Sequence, residues 1–355
     1  MRILIAIFVL GIVILVHEFG HFMVAKISNM RVEKFSIGMG PAITSIKKGE
    51  TTYVIGMIPA GGYVQVTGEQ TGLDDEDDLD EDDPRRYGNR PLLSRLLFAA
   101  AGSFMNIFVA IVMMVGLFMI SGVSTEVPSD LPKVASITEN SPAQKAGLKE
   151  GDTLVSLNQT KIETWDDIAE ALQETQGKSS KVTVSRDGKL LVLNVVPELN
   201  QENKNYYLGI TRLQEVHKER LNFPKAVTAS LEMTKRISTL VYDAVKNLVS
   251  GKTSITDKKG GLTGPVGIVK VIDNSLDRGI DELIFLMSML SINLGLMNLL
   301  PIPAVDGSKI LFLILEGIRG IPIDSKKEGL VNFLGFICLM ALMIYVTVND
   351  ISGIG

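Results

Sequence analysis

Residues 3–26 read ILIAIFVLGIVILVHEFGHFMVAK, an apolar run with His17, Glu18 and His21 set into it. About 20 apolar residues span the hydrocarbon core of a bilayer as a helix, so the run predicts a transmembrane helix over residues 1–26. Ionisable side chains inside such a span are costly and by default mark function. Their spacing narrows that function. His-Glu-x-x-His on a helix sets His17 and His21 one turn apart on one face, where both imidazoles reach a single zinc ion. Glu18 then stands beside them, placed to take a proton from water held at that ion. The plainer alternative is a pair of packed histidines without a metal. It founders on the cost of burying such groups in a membrane without a task.

Three further apolar runs, residues 92–122, 282–303 and 331–350, bring the expected transmembrane helices to four. The chain has 355 residues and a positive mean hydropathy, so it is neither a typical soluble protein nor wholly membrane-embedded. Lys26, Arg31 and Lys34 follow the first span, and Arg85, Arg86, Arg90 and Arg95 precede the second. Lys309, Arg319, Lys326 and Lys327 lie between the last two. The excess of basic residues in cytoplasmic loops predicts that residues 27–91 and 304–330 are cytosolic, with both termini and the long middle segment on the other side. The net charge of −5 is misleading, because nine of the ten residues from Asp74 to Asp83 are acidic; without those nine negative charges the remainder is +4. That balance gives no case for a nucleic-acid partner. The single Cys338 excludes a disulfide framework and a cysteine-based metal site. The first apolar run is also too long, too interrupted and too poor in small residues at its end for a secretory signal.

Between the first two spans, residues 51–66 (TTYVIGMIPAGGYVQV) read as a β-hairpin turning at Pro-Ala-Gly-Gly. It either dips toward the membrane and packs on the helices or stands in the cytosol with one face buried. Residues 69–86 read as a disordered, solvated acidic loop without the ligand spacing of a calcium loop. Residues 126–198 change character. A strand (KVASI), a turn with a short helix (SPAQKAGL), a strand pair (GDTLVSLNQTKI), an amphipathic helix (TWDDIAEALQE) and a hairpin turned at Asp187-Gly188 follow in order. That order resembles a bacterial PDZ domain, and SPAQKAGLKEGDTLVSLN carries most of the resemblance. It implies an extracytoplasmic groove that takes an extended peptide or C-terminus by strand addition, or else a unit acting only as a steric plug. Residues 199–281 hold a predicted helix at 223–249, lying on the membrane or against the PDZ unit, with Val227, Leu231, Leu240, Val241, Val245 and Leu248 near one face. The Gly-rich run KKGGLTGPVGIVKV (258–271) then reads as a hinge or close-packed turn rather than a phosphate loop.

A catalytic zinc site takes three protein ligands and keeps an open position. His217, the only other histidine, falls beyond the PDZ region and reads as a surface residue. The candidate is therefore a carboxylate near the cytosolic end of another span, and Asp306 in NLLPIPAVDGSKI (298–310) meets that condition. The first and third spans run in the same direction, which brings Asp306 to the depth of His21 and His17, roughly 7–14 Å below Lys26 at the helical rise. Pro301 and Pro303 break the helix there. A membrane tolerates freed backbone only where protein or a water-filled cavity surrounds it.

HEFGH at 17–21 together with NLLPIPAVDG at 298–307 closely resembles the site-2 proteases, in particular the bacterial intramembrane zinc metalloproteases. FSIGMGP (35–41), PAGGYV (59–64), the PDZ region and GPVGI (264–268) extend the resemblance over nearly the whole chain. It implies His17, His21 and Asp306 as zinc ligands and Glu18 as the catalytic base. It also implies that Asn298 and the hairpin, with Gly61, Gly62 and Tyr63, hold the substrate extended, and it places Asn106 of the second span near the substrate site. The implied partners are the lipid bilayer and single-span membrane proteins already shortened by another protease, such as anti-sigma factors, or remnant signal peptides. The implied location is a bacterial cytoplasmic membrane with the active site toward the cytosol. This chain departs from the family in having room for one PDZ unit where many diderm relatives carry two. Ala-Gly-Ser at 101–103 stands for Ala-Gly-Pro, and Asp-Gly-Ser at 306–308 for Asp-Gly-Gly, with no ligand affected. The expected fold is a polytopic α-helical membrane protein: four transmembrane helices and a membrane-associated β-hairpin, with an inserted extracytoplasmic α+β PDZ domain. Two rivals differ in testable ways. A non-catalytic PDZ-bearing scaffold would bind no zinc, and a metal transporter would need polar residues through several spans rather than at one depth.

Overall fold

The structure, a computed structural model, describes residues 2–69, 80–200, 204–252 and 264–352, in two compact units: residues 1–121 with 221–355, and residues 122–220. The first unit opens with α1 (Arg2–Ile27), β1 (Val32–Lys48), β2 (Thr51–Val66) and α2 (Leu92–Ile120). α1 and α2 pack against each other at small residues. A Cβ added at Gly20 would lie 2.5 Å from the Ala101 carbonyl oxygen, so only glycine lets the backbones come this close.

The hairpin differs from the sequence expectation. Its turn is at Gly49-Glu50, and the two flanks of Pro-Ala-Gly-Gly pair with β1 rather than with each other. Residues 32–37 face 66–62, residues 42–48 face 56–51, and residues 34–37 also face 52–55 with partner numbers rising together. The two strands thus fold over into four rows, with 62–66 at one edge. The cause is local: Gly38 has φ +87, and a Cβ at Gly56 would sit 2.7 Å from the Gly38 carbonyl carbon. Side chains at these two positions would hold the rows apart. Most of the expected acidic loop, residues 70–79, lies outside the described residues. Its first residue is not solvated, since Glu69 is only 5% exposed.

The second unit holds β3 (Val123–Pro128), β4 (Val134–Ile137), α3 (Pro142–Lys145), β5 (Thr153–Leu157), β6 (Thr160–Lys161), α4 (Trp165–Glu174), β7 (Ser180–Arg186), β8 (Lys189–Val195), β9 (Glu198–Leu199), β10 (Tyr206–Tyr207), β11 (Ile210–Arg212) and β12 (Gln214–Glu219). An antiparallel sheet in the order β6-β5-β7-β8 packs with α4 around Leu154, Leu157, Val182 and Val184. The β7–β8 hairpin turns at Asp187 (φ +51) and Gly188 (φ +77), the left-handed pair a two-residue turn requires. Thr164 and Asp167 form a reciprocal capping box at the start of α4. The unit extends past the expected boundary at residue 198. β11 pairs back onto β4, β12 pairs with β3, and Leu208 is buried in the same core. These closing strands are too short to show a period-two pattern.

The chain then returns to the first unit with α5 (Phe223–Val249), α6 (Pro265–Arg278), α7 (Ile280–Asn298), α8 (Asp306–Arg319) and α9 (Ser325–Ser352). α5 packs on α2 and α7 through a face that includes Ala226, Ser230 and Ile237, while Leu231 and Leu240 of the expected apolar stripe are exposed. Of the expected Gly-rich hinge, residues 258–263 lie outside the described residues. From Pro265 onward it is helix, with Pro in the first turn where its missing N–H costs nothing. The expected loop 304–330 contains α8, which ends at Gly320 (φ +72) with the Gly320 N–H on the Glu316 carbonyl. Among the described residues α1, α2, α7 and α9 are long and apolar enough to cross a membrane, and their outward faces carry Phe8, Phe104, Phe108 and Ile344.

Candidate metal centre

α1 supplies His17 and His21 from one face, both less than a tenth exposed. Asp306 is the first residue of α8 and is brought to them by the short loop after α7. That loop is held in an unusual shape: Ala304 has φ +74, and the Asn332 side-chain oxygen accepts from the Ala304 N–H (3.2 Å) and the Ser308 hydroxyl (3.1 Å). Gly307 packs so tightly on the Leu300 carbonyl that a Cβ would collide with it.

The His17 Nε2 to Asp306 Oδ2 distance is 2.9 Å, His21 Nε2 to Asp306 Oδ2 is 3.2 Å, and the two Nε2 atoms are 3.1 Å apart. Two imidazole nitrogens facing each other and one carboxylate oxygen form a donor set able to hold a metal ion. Donors about 2.0–2.2 Å from a tetrahedral zinc stand about 3.3 Å from one another, so this triangle fits zinc with slight expansion. Two imidazoles and a carboxylate are also a donor set zinc accepts while keeping a fourth position open. The His21 Nδ1–H donates to the Phe98 carbonyl (2.8 Å), which leaves the Nε2 lone pair for the metal. The His17 Nδ1 meets the Asn106 side-chain amide at 3.4 Å, and Asn106 is fully buried. The Asn106 Oδ1 is buried without a partner; turning the amide to face that oxygen to the Nδ1–H gives His17 the same support. Asn106, expected near the substrate site, thus lies beside His17 on the side of its Nδ1. Gly102 of α2 closes the back of the site: a Cβ there would overlap His21 and lie 2.6 Å from the His17 Nε2.

In front of the three donors is a cavity of about 170 Å³, lined also by Glu18, Tyr63, Val64, Glu69 and Lys309. Glu18 is half-buried, and among the described residues its carboxylate has no hydrogen-bond partner, as a group reserved for water would require. A Cβ at Gly62 would come within 3.3 Å of the Glu18 side chain, so the edge row 62–66 runs directly over it. Of the other expected substrate residues, Gly61 (φ +93) abuts Met39, and Asn298 ends α7 in a half-buried position outside the cavity lining. Sequence reasoning missed Phe98, Gly102, Glu69 and Lys309. The one readable signal was the helical spacing of Lys309 from Asp306. The Lys309 ammonium meets the Glu69 carboxylate at 2.5 Å. Burial works against that charge, but Glu69 and Asp306 outweigh it and hold Lys309 above the ordinary lysine range.

Residues 5–342 match peptidase family M50. A protein of Clostridium acetobutylicum bearing a zinc metalloprotease name is 38% identical, over 99% of this chain and 97% of that one. The regulator of sigma-W protease RasP of Bacillus subtilis is 34% identical, over 98% and 97%. The zinc metalloprotease RasP of Shouchella clausii is 28% identical, over 97% of both. Among solved structures, the PDZ domain of an SdrC-like protein from Listeria monocytogenes is similar to 25% of this chain, covering 94% of that domain at 17% identity and a TM-score of 0.22. Given the family match over residues 5–342 and the overlap with full-length relatives, the chain belongs to peptidase family M50 and is a multi-pass membrane zinc metalloprotease of the site-2 type.

Proposed function

We propose that His17, His21 and Asp306 hold the zinc of this protease, that Glu18 is its general base, and that it cleaves pre-trimmed single-span substrates within or at the edge of the membrane. The observation that carries the reading is the convergence of three donor atoms, each within 4.8 Å of the others, in a cavity that also holds an unpaired glutamate. When bound, zinc supplies Lewis-acid polarisation of the scissile carbonyl and makes water acidic enough to ionise near neutral pH. Glu18 accepts a proton from the attacking water and returns it to the leaving amine, which sets the two proton transfers on one side chain. A substrate helix hides its peptide groups in internal hydrogen bonds and must unwind to be cut. Row 62–66 of β2 has no strand partner on its outer edge among the described residues, and this edge can replace those bonds by strand addition.

The basic residues flanking the spans support an orientation with the active site toward the cytosol and the 122–220 unit extracytoplasmic, and the bacterial relatives support a bacterial cytoplasmic membrane as its location. Anti-sigma factors and remnant signal peptides suit this chemistry, and the sigma-W regulator among the relatives supports the first class. A PDZ unit at 122–220 would bind an extended peptide end or exclude untrimmed ectodomains. The decisive comparison is purified wild type against Glu18→Gln on tagged single-span substrates, with zinc content measured in both. The expected outcome is equal zinc, with cleavage reduced about 10²–10⁴-fold in the variant. Equal cleavage by the two would remove Glu18 from the mechanism.

A further inference from the structure

Lys309 lies one turn after Asp306 on α8, and its partner Glu69 lies just past the end of β2. The Glu69 N–H bonds the Val66 carbonyl (3.0 Å), so the Glu69 backbone follows directly on row 62–66 over Glu18, and its carboxylate reaches Lys309 from there. Glu69 and Lys309 also line a second cavity of about 260 Å³, bounded by Tyr87, Arg95, Glu316 and Glu328. The ion pair is thus the shared wall of two cavities, one of which is the metal pocket. A second pair, Arg95 with Glu316, ties the far end of α8 to α2 but does not line the metal pocket. Buried ion pairs contribute little net stability compared with apolar packing, and their best-attested use is to fix register. Resting on the ligand assignment above, we propose that the Glu69–Lys309 pair is a positioning element that locks Asp306, through the first turn of α8, to the β2 edge at Tyr63 and Val64. The metal ligand and the strand edge that would receive the substrate are then set at one distance.

The test is zinc affinity by chelator competition on the full chain in detergent, with cleavage measured alongside. Lys309→Met and Glu69→Gln should each weaken zinc binding about 10–100-fold, as loss of a ligand's supporting partner does. Lys309→Arg, which still reaches the carboxylate, should stay within about threefold of wild type. The double variant should be no worse than the worse single, because both remove one interaction. Glu316→Gln loosens the other end of α8 and should leave zinc affinity near wild type, which separates positioning from general weakening of the fold. Single variants with wild-type affinity, losses that multiply in the double variant, or an equal loss in Glu316→Gln would overturn the proposal. If Lys309→Met does not accumulate as folded protein, Glu69→Gln and Lys309→Arg decide it. Asp306→Ala distinguishes the two levels. Retained zinc there sinks the ligand assignment, whereas zinc lost there but kept in the pair variants sinks only the positioning role.

Discussion

In the 122–220 unit the deeply buried side chains include Leu154, Val182, Val184 and Leu208, each 1% exposed or less, with Asp152 a buried charge among them. In the helical unit Met114, Ile272 and Ile292 are buried as deeply, but its centre also holds His17, His21, Ser103 and Asn106, each 7% exposed or less, while Phe8, Phe104 and Phe108 point outward at more than 60% exposure. The difference follows from the surroundings. Water drives apolar surface inward at about 25 cal/mol per Å². Lipid gives no such push, so helices in a membrane associate through small residues, hydrogen bonds and close van der Waals contact. The interior of the helical unit is therefore closed by small residues, and the costly polar groups held there mark function. That close approach makes small-residue positions in the helical unit functionally critical, where the same positions in the other unit would only be structural.

The strongest way to break this comparison is to add one methyl group. Gly102→Ala places a Cβ against both imidazoles, so zinc should be lost and cleavage should fall below detection while the protein still inserts and purifies. Zinc content by elemental analysis checks this, and a zinc-loaded Gly102→Ala would show that the ligands have room to move. In the other unit the sensitive change is the reverse one. Leu154→Ala removes buried apolar volume and should cost about 2–5 kcal/mol of that unit's stability without touching zinc. Trp165, the only tryptophan of the chain, packs on the same core, so its fluorescence reports the unfolding of this unit in the intact protein.

A charge inside the apolar unit tests the contrast more finely. The Asp152 side chain is fully buried, and its two oxygens take hydrogen bonds from Arg186 (2.7 Å each) and from the Lys149 N–H (2.9 Å). Burial alone would raise its pKa, but Arg186 and the Lys149 amide outweigh it and hold the carboxyl below the usual aspartate value of about 3.9. A depressed folded-state pKa contributes stability above the unfolded value and loses it as pH falls through the folded one. Wild type should therefore lose stability below about pH 4, on the acid side of the ordinary aspartate range. Asp152→Asn should start about 1.5–3 kcal/mol less stable at pH 7 and lose less between pH 5 and 2. Trp165-monitored unfolding at the two pH values gives both slopes, and parallel slopes would remove Asp152 from the acid response.

The parts legible in sequence were those with a strong period or a fixed depth. HEFGH declares its geometry because a helix repeats every 3.6 residues, and Asp306 could be placed because the first and third spans run in parallel to a proline-broken end. In the 122–220 unit, alternation and the Asp-Gly turn mark β7 and β8. Elements defined by their partners stayed hidden. β1 carries Gly38, Gly40 and Pro41, residue types that disfavour a strand interior, and it forms one through its pairing with β2. β9 to β12 are too short for any pattern, and α8 stood behind two prolines and Asp-Gly-Ser. Glu69 was masked by the acidic tract that follows it. Asn106 was expected near the active site, but its contact with His17 was not legible, because a sequence shows that a polar residue lies in a span and not which way it faces.

The smallest effect is the most direct test of the outward face. Phe104, Phe108 and Val112 recur every four residues on α2 and are all more than half exposed, a stripe that in a bilayer faces hydrocarbon. Phe108→Leu exchanges one apolar surface for another in that setting, so stability should change by less than about 0.5 kcal/mol and zinc content should stay at the wild-type level. The same substitution in a water-driven core would leave a void and cost more than that. Melting of the purified protein in lipid nanodiscs, followed through zinc release, measures the difference. A loss above about 1 kcal/mol would mean that this face is packed rather than lipid-exposed, since lipid tails refill the space of a smaller side chain at little cost. The stripe would then be a contact surface for another helix, and the contrast between the two interiors would stop short of α2's outer face.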